Sequence, residues 1–73
     1  MTDFYVHPTA IVDDGAVIGK NSKIWHFVHV RGSAQLGSNV ILGKNVYIDI
    51  DVSIGSNTKI QNNVSVYSGV TIE

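Results

Sequence analysis

The chain of 73 residues has no cysteine, which excludes a disulfide framework and a thiolate metal site. Charge is scarce: 5 Lys and Arg against 6 Asp and Glu, a formal net charge of −1. A balance so close to neutral gives no electrostatic basis for a nucleic-acid partner or an anionic membrane. No apolar run approaches the roughly 20 residues that span a bilayer. The N-terminus lacks the basic stretch followed by an apolar one that marks a secretory signal. The expectation is a cytoplasmic protein with no nucleic-acid or membrane partner. What is abundant is different: hydrophobic residues are 44% of the chain, against disorder, and 7 Gly with many Val and Ile point to strands and turns.

The aliphatic residues keep a strict count. Every sixth position from Val6 is aliphatic: Val6, Val12, Ile18, Ile24, Val30, Leu36, Leu42, Ile48, Ile54, Ile60, Val66 and Ile72. Two residues before each, from Ala10 onward, stands a small or β-branched residue. Three residues after it a turn former recurs: Gly15, Asn21, Asn39, Asn45, Asn57, Asn63 and Gly69. Gly and Asn tolerate the left-handed backbone of a sharp corner. A helix has no period of six, and hairpins do not hold one count along a whole chain. The pattern predicts an all-β fold, a parallel β-helix of hexapeptide repeats. Residues two apart on a strand share a face, so each aliphatic and the small residue before it point inward. Three hexapeptides close a triangular coil, and the chain makes about four coils. The spacing itself leaves the hand open, and the crossover rule favours a right-handed connection.

This register sorts the outward residues into columns. One face carries Gly19, Gly37 and Gly55 beside Val17, Gln35, Ser53 and Thr71. It is smooth, fitting either close packing against a flat partner or glycines demanded by local backbone geometry. A second face carries Ile11, His29, Tyr47 and Ser65 beside Asp13, Arg31, Asp49 and Tyr67. Arg31 thus falls between Asp13 and Asp49, with His29 and Tyr47 stacked alongside. The group reads either as a surface charge ladder or as a network for a polar ligand, with His29, Arg31, Tyr47, Asp49 and Tyr67 as candidate contacts. The preceding corner carries Trp25, His26 and Phe27, exposed aromatics that suggest a subunit contact. No metal is expected: no Cys or nearby Glu completes a ligand set with His26 and His29, and His7 falls in another column. Gly19-Lys20 and Gly43-Lys44 are repeat corners and lack the strand–loop–helix context of a phosphate loop.

Three segments carry a family resemblance: His7-Pro-Thr-Ala-Ile-Val-Asp-Asp-Gly-Ala, Ile24-Trp-His-Phe-Val-His-Val and Lys59-Ile-Gln-Asn-Asn-Val-Ser-Val-Tyr67. The repeat resembles that of the hexapeptide-repeat acyltransferases. The segments resemble the N-terminal part of bacterial sugar-nucleotide N-acetyltransferases, notably those acting on UDP-2-acetamido-3-amino-2,3-dideoxyglucuronate in lipopolysaccharide O-antigen biosynthesis. The resemblance implies a left-handed β-helix, a homotrimer, acetyl-CoA as cosubstrate and a sugar-nucleotide acceptor. Residues 1–73 would then be a single β-helix domain, the N-terminal part of a longer solenoid whose further coils complete the site. Two other readings stand beside it: a non-catalytic solenoid for trimerisation or docking, and an acetyltransferase for a dTDP-linked amino sugar. A neutral amine is already a good nucleophile, so positioning would carry most of such a reaction and leave the catalytic residues unassigned.

Overall fold

A computed structural model describes residues 4–73. Twelve two-residue strands follow one another: β1 (Tyr5–Val6), β2 (Ile11–Val12), β3 (Val17–Ile18), β4 (Lys23–Ile24), β5 (His29–Val30), β6 (Gln35–Leu36), β7 (Ile41–Leu42), β8 (Tyr47–Ile48), β9 (Ser53–Ile54), β10 (Lys59–Ile60), β11 (Ser65–Val66) and β12 (Thr71–Ile72). Each ends on an aliphatic residue of the six-residue series. Every third strand joins one parallel sheet, giving the orders β1-β4-β7-β10, β2-β5-β8-β11 and β3-β6-β9-β12. The pairing links each residue to the one 18 positions on, as in Tyr5 with Lys23 and His29 with Tyr47. The chain is therefore a β-solenoid of about four triangular coils, consistent with the left-handed β-helix.

The core lies along the axis. Ile24, Val30, Leu36, Leu42, Ile48 and Ile54 are buried, and so are the smaller residues two before them, from Val28 to Val52. Val6, Val12, Ile18 and Ile72 are only partly buried, because an end coil has a neighbour on one side alone. Burial of each aliphatic side chain contributes roughly 1.5–3 kcal/mol. Ser22 occupies a small-residue position and is the one buried polar residue among those described. Its hydroxyl donates to the Gly37 carbonyl at 3.1 Å and accepts from the Val40 amide at 3.1 Å, so its burial leaves no polar atom unpaired.

The corners explain the turn residues. Gly15, Asn21, Phe27, Ser33, Asn39, Asn45, Asp51, Asn57, Asn63 and Gly69 all have positive φ, between 55° and 90°. The left-handed corner is thus a property of the coil, extending beyond the Gly and Asn positions to Phe27, Ser33 and Asp51. Ser33 and Asp51 stack one coil apart: Ser33 Oγ donates to Asp51 Oδ1 at 3.0 Å and accepts from the Asp51 amide at 3.1 Å.

The smooth face resolves in favour of geometry. A Cβ on Gly19 would collide with the Gly37 carbonyl, and one on Gly37 would lie 2.6 Å from the Ser56 amide nitrogen. Successive coils approach too closely there for a side chain, so the glycine column needs no external partner to account for it.

Candidate functional site

The sheet β2-β5-β8-β11 presents the polar face. His29 leads β5 and Tyr47 leads β8, one coil apart in register. Both point outward because the next residue of each strand, Val30 or Ile48, points into the core. Arg31 and Asp49 follow those aliphatics and point outward in turn. The parallel ladder continues through them: the Arg31 amide donates to the Ile48 carbonyl at 2.8 Å and the Asp49 amide to the Val66 carbonyl at 2.9 Å.

The side chains form one connected network. His29 Nε2 lies 3.1 Å from Asp13 Oδ1, and Arg31 Nε lies 3.3 Å from Asp13 Oδ2. Arg31 Nη1 donates to Tyr47 Oη at 3.0 Å and stands 4.0 Å from Asp49 Oδ1. Tyr47 Oη donates in turn to Asp49 Oδ1 at 3.4 Å, and the same oxygen accepts from the Ile50 amide at 2.7 Å. The hydrogen bond that Arg31 donates to Tyr47, with Asp49 and Asp13 adding to it, raises the affinity of Arg31 for its proton above the ordinary arginine value. The network is half-exposed: side-chain exposure is 38% for His29, 42% for Arg31 and 23% for Asp49, which leaves it accessible to a ligand.

Of the five residues singled out from the sequence, four meet here. His29, Arg31, Tyr47 and Asp49 share the network, with Arg31 between Asp13 and Asp49 as the column order predicts. Tyr67 continues the column but is 68% exposed and makes no side-chain hydrogen bond among the described residues. His29 and Tyr47 are not stacked face to face. Their rings meet edge-on, with centroids 5.8 Å apart and planes at 80°, because Tyr47 turns its hydroxyl toward Arg31. Asp13 is more central than its column suggests, since it reaches diagonally to His29 as well as to Arg31.

A second cluster lies at the corner between the first two sheets. Trp25 packs on Tyr5 at 5.4 Å, and the His7 and His26 rings stack at 3.7 Å although they come from different columns, because a ring at the corner spans the step between coils. Thr9 Oγ1 contacts His7 Nδ1 at 2.9 Å and accepts from the Phe27 amide at 3.0 Å. Phe27 is 58% exposed. Among the described residues no three His, Cys, Asp or Glu side chains are placed to hold a metal ion. An open groove at another corner is lined in part by Phe4, Tyr5, Lys20, Lys23 and Ile41. No helix among the described residues is long and apolar enough to cross a membrane.

Comparison with known families agrees with this architecture. Residues 15–49 match the family described as bacterial transferase hexapeptide (six repeats), and residues 33–68 match the hexapeptide repeat of succinyl-transferase. Both are repeats of transferases, and the two matches overlap across β6 to β8.

Proposed function

We propose that this hexapeptide-repeat chain is part of a cytoplasmic acyltransferase that moves the acetyl group of acetyl-CoA to the amine of a UDP-linked 3-amino sugar. Support comes first from the two transferase-repeat matches, which point to acyl transfer. The observation that carries the acceptor is the network of His29, Arg31, Tyr47 and Asp49. It sets hydrogen-bond donors and acceptors on one half-exposed face, as binding of a hydroxyl-rich sugar requires. The segment resemblance supplies the UDP-linked amino sugar and the lipopolysaccharide pathway. In the reaction the amine attacks the thioester carbonyl, the carbon–sulfur bond breaks, and coenzyme A leaves as the thiol once the nitrogen has lost a proton. The groove beside Lys20 and Lys23 has the charge for a phosphate-bearing cosubstrate.

The working unit is a homotrimer in this reading. Phe27 supports it: its ring is 58% exposed at the corner that also carries Trp25, an apolar surface that packing against a second copy would cover.

The test is an acceptor panel of UDP- and dTDP-linked amino sugars, run on the full natural chain with detection of released thiol. Transfer to a UDP-linked 3-amino sugar is the expected result. Preference for a dTDP-linked acceptor would replace the substrate, and absence of transfer to any amine would favour a non-catalytic module for trimerisation or docking. The 73-residue segment alone should run at about one-hundredth of the full rate or less, since misplaced reactants lose that much.

A further inference from the structure

We infer that the outer face of the β1-β4-β7-β10 sheet is a docking surface for a second copy of this chain, which meets it with the aspartate-bearing corner between the second and third sheets. The inference goes beyond the trimer reading above, which assigns only the Phe27 corner. The near-zero net charge hides a segregation. All four lysines border the first sheet: Lys23 and Lys59 lead β4 and β10, Lys20 and Lys44 stand at the corners on either side, and all are exposed. No described carboxylate lies on that face, and no lysine takes part in an ion pair among the described residues. The carboxylates gather elsewhere. Asp13, Asp14, Asp49 and Asp51 follow β2 and β8, with Arg31 as the one cation among them. Asp14 and Asp51 are exposed and lie outside the ion pairs of Arg31. In a triangular coil this corner is the vertex opposite the lysine face. The spacing matches as well. Lys23 and Lys59 are two coils apart, roughly 10 Å, with Ile41 between them. Asp14 and Asp51 are also two coils apart, roughly 10 Å, and Ile50 is 42% exposed beside Asp51. Single exposed ion pairs contribute little, but matched patches select a partner and its orientation. Because face and corner lie on opposite sides of the prism, a twofold pair cannot use both contacts at once. The contact is head-to-tail, the kind that closes into rings.

Light scattering on the full natural chain decides the matter, with assembled mass as the readout. Self-association should weaken about tenfold between about 0.1 M salt, where charges are felt over ~10 Å, and about 1 M salt, where they are felt over ~3 Å. Two half-swaps should each abolish assembly: Lys23→Glu with Lys59→Glu, which reverses the face, and Asp14→Lys with Asp51→Lys, which reverses the corner. All four substitutions in one chain should restore it, because face and corner are again opposite in sign. The two half-swapped chains, mixed, should bind each other. A mass that stays assembled through the salt series and in both half-swaps would overturn the inference and leave the trimer standing on the Phe27 corner. Failure of the four-fold swap to recover assembly, with its melting temperature kept, also overturns it. A wild type that is monomeric at low salt overturns both readings, and its capture by phosphatidylglycerol vesicles would then give the lysine face to an anionic membrane instead. The salt series on the wild type decides the inference even where a variant fails to fold.

Discussion

At the scale of single residues, Arg31 and Phe27 are held in place by different means. Arg31 is fixed by three partners, so its main effect on a ligand is to brace the carboxylates of Asp13 and Asp49. Under the proposed acyltransferase function, Arg31→Ala is therefore expected to raise KM for the acceptor more than it lowers kcat, and steady-state kinetics checks this directly. Unchanged kinetics would return the Asp13–Arg31–Asp49 column to a surface charge ladder, worth at most about 1 kcal/mol per pair. Phe27 sits in the left-handed region with no glycine freedom. Phe27→Asn should stabilise an isolated coil by about 1 kcal/mol, read from the denaturant midpoint, and should weaken self-association if the ring is a subunit contact. The column order read from the sequence put Arg31 between two aspartates. It did not reveal the diagonal reach of Asp13 to His29 or the edge-on meeting of His29 and Tyr47, because both depend on side-chain torsions that no spacing encodes.

At the scale of the element, each repeat is a two-residue strand and a corner, and the two parts were not equally legible. The strands follow from the alternation of inward and outward residues, and all twelve fall where the aliphatic series places them. The corners show Gly or Asn only where side chains already favour positive φ. Ser33 and Asp51 adopt it too, since the coil closes there whatever residue is supplied. Glycines then play two separable parts. Gly19 has no room for a Cβ beneath the next coil, whereas Gly69 has open space but φ of +82°. Gly19→Ala should cost about 1–3 kcal/mol through crowding. Gly69→Ala should cost about 1 kcal/mol through backbone strain alone. Denaturant melts of the two variants should rank them in that order.

At the scale of the whole molecule, stability depends on an unbroken axial core. Ile48 is fully buried near its middle, with coils on both sides. Ile48→Asp should unfold the chain, because a carboxylate there would have no partner, and loss of the far-UV circular dichroism of the wild type is the expected observation. The proposed trimer predicts a mass of three chains by light scattering at tens of micromolar, in the roughly micromolar range of weak association, and a monomer at that concentration would count against it. The hand of the winding was the part least accessible to spacing, since a period of six is the same read in either sense. The family resemblance supplied it.

The pairing of each residue with the one 18 positions on has a consequence for how such a chain can change in length. Adding or removing a whole coil leaves every later column in phase and merely lengthens or shortens the prism. Losing one hexapeptide keeps the core pattern intact yet advances all that follows by a third of a turn. A deletion between β5 and β8 would then carry Tyr47 and Asp49 around the edge, away from His29 and Arg31, while the interior hardly registers the loss. The molecule behaves as a dial as well as a ruler: folding reads the count in sixes, and the composition of each outer face reads it in eighteens.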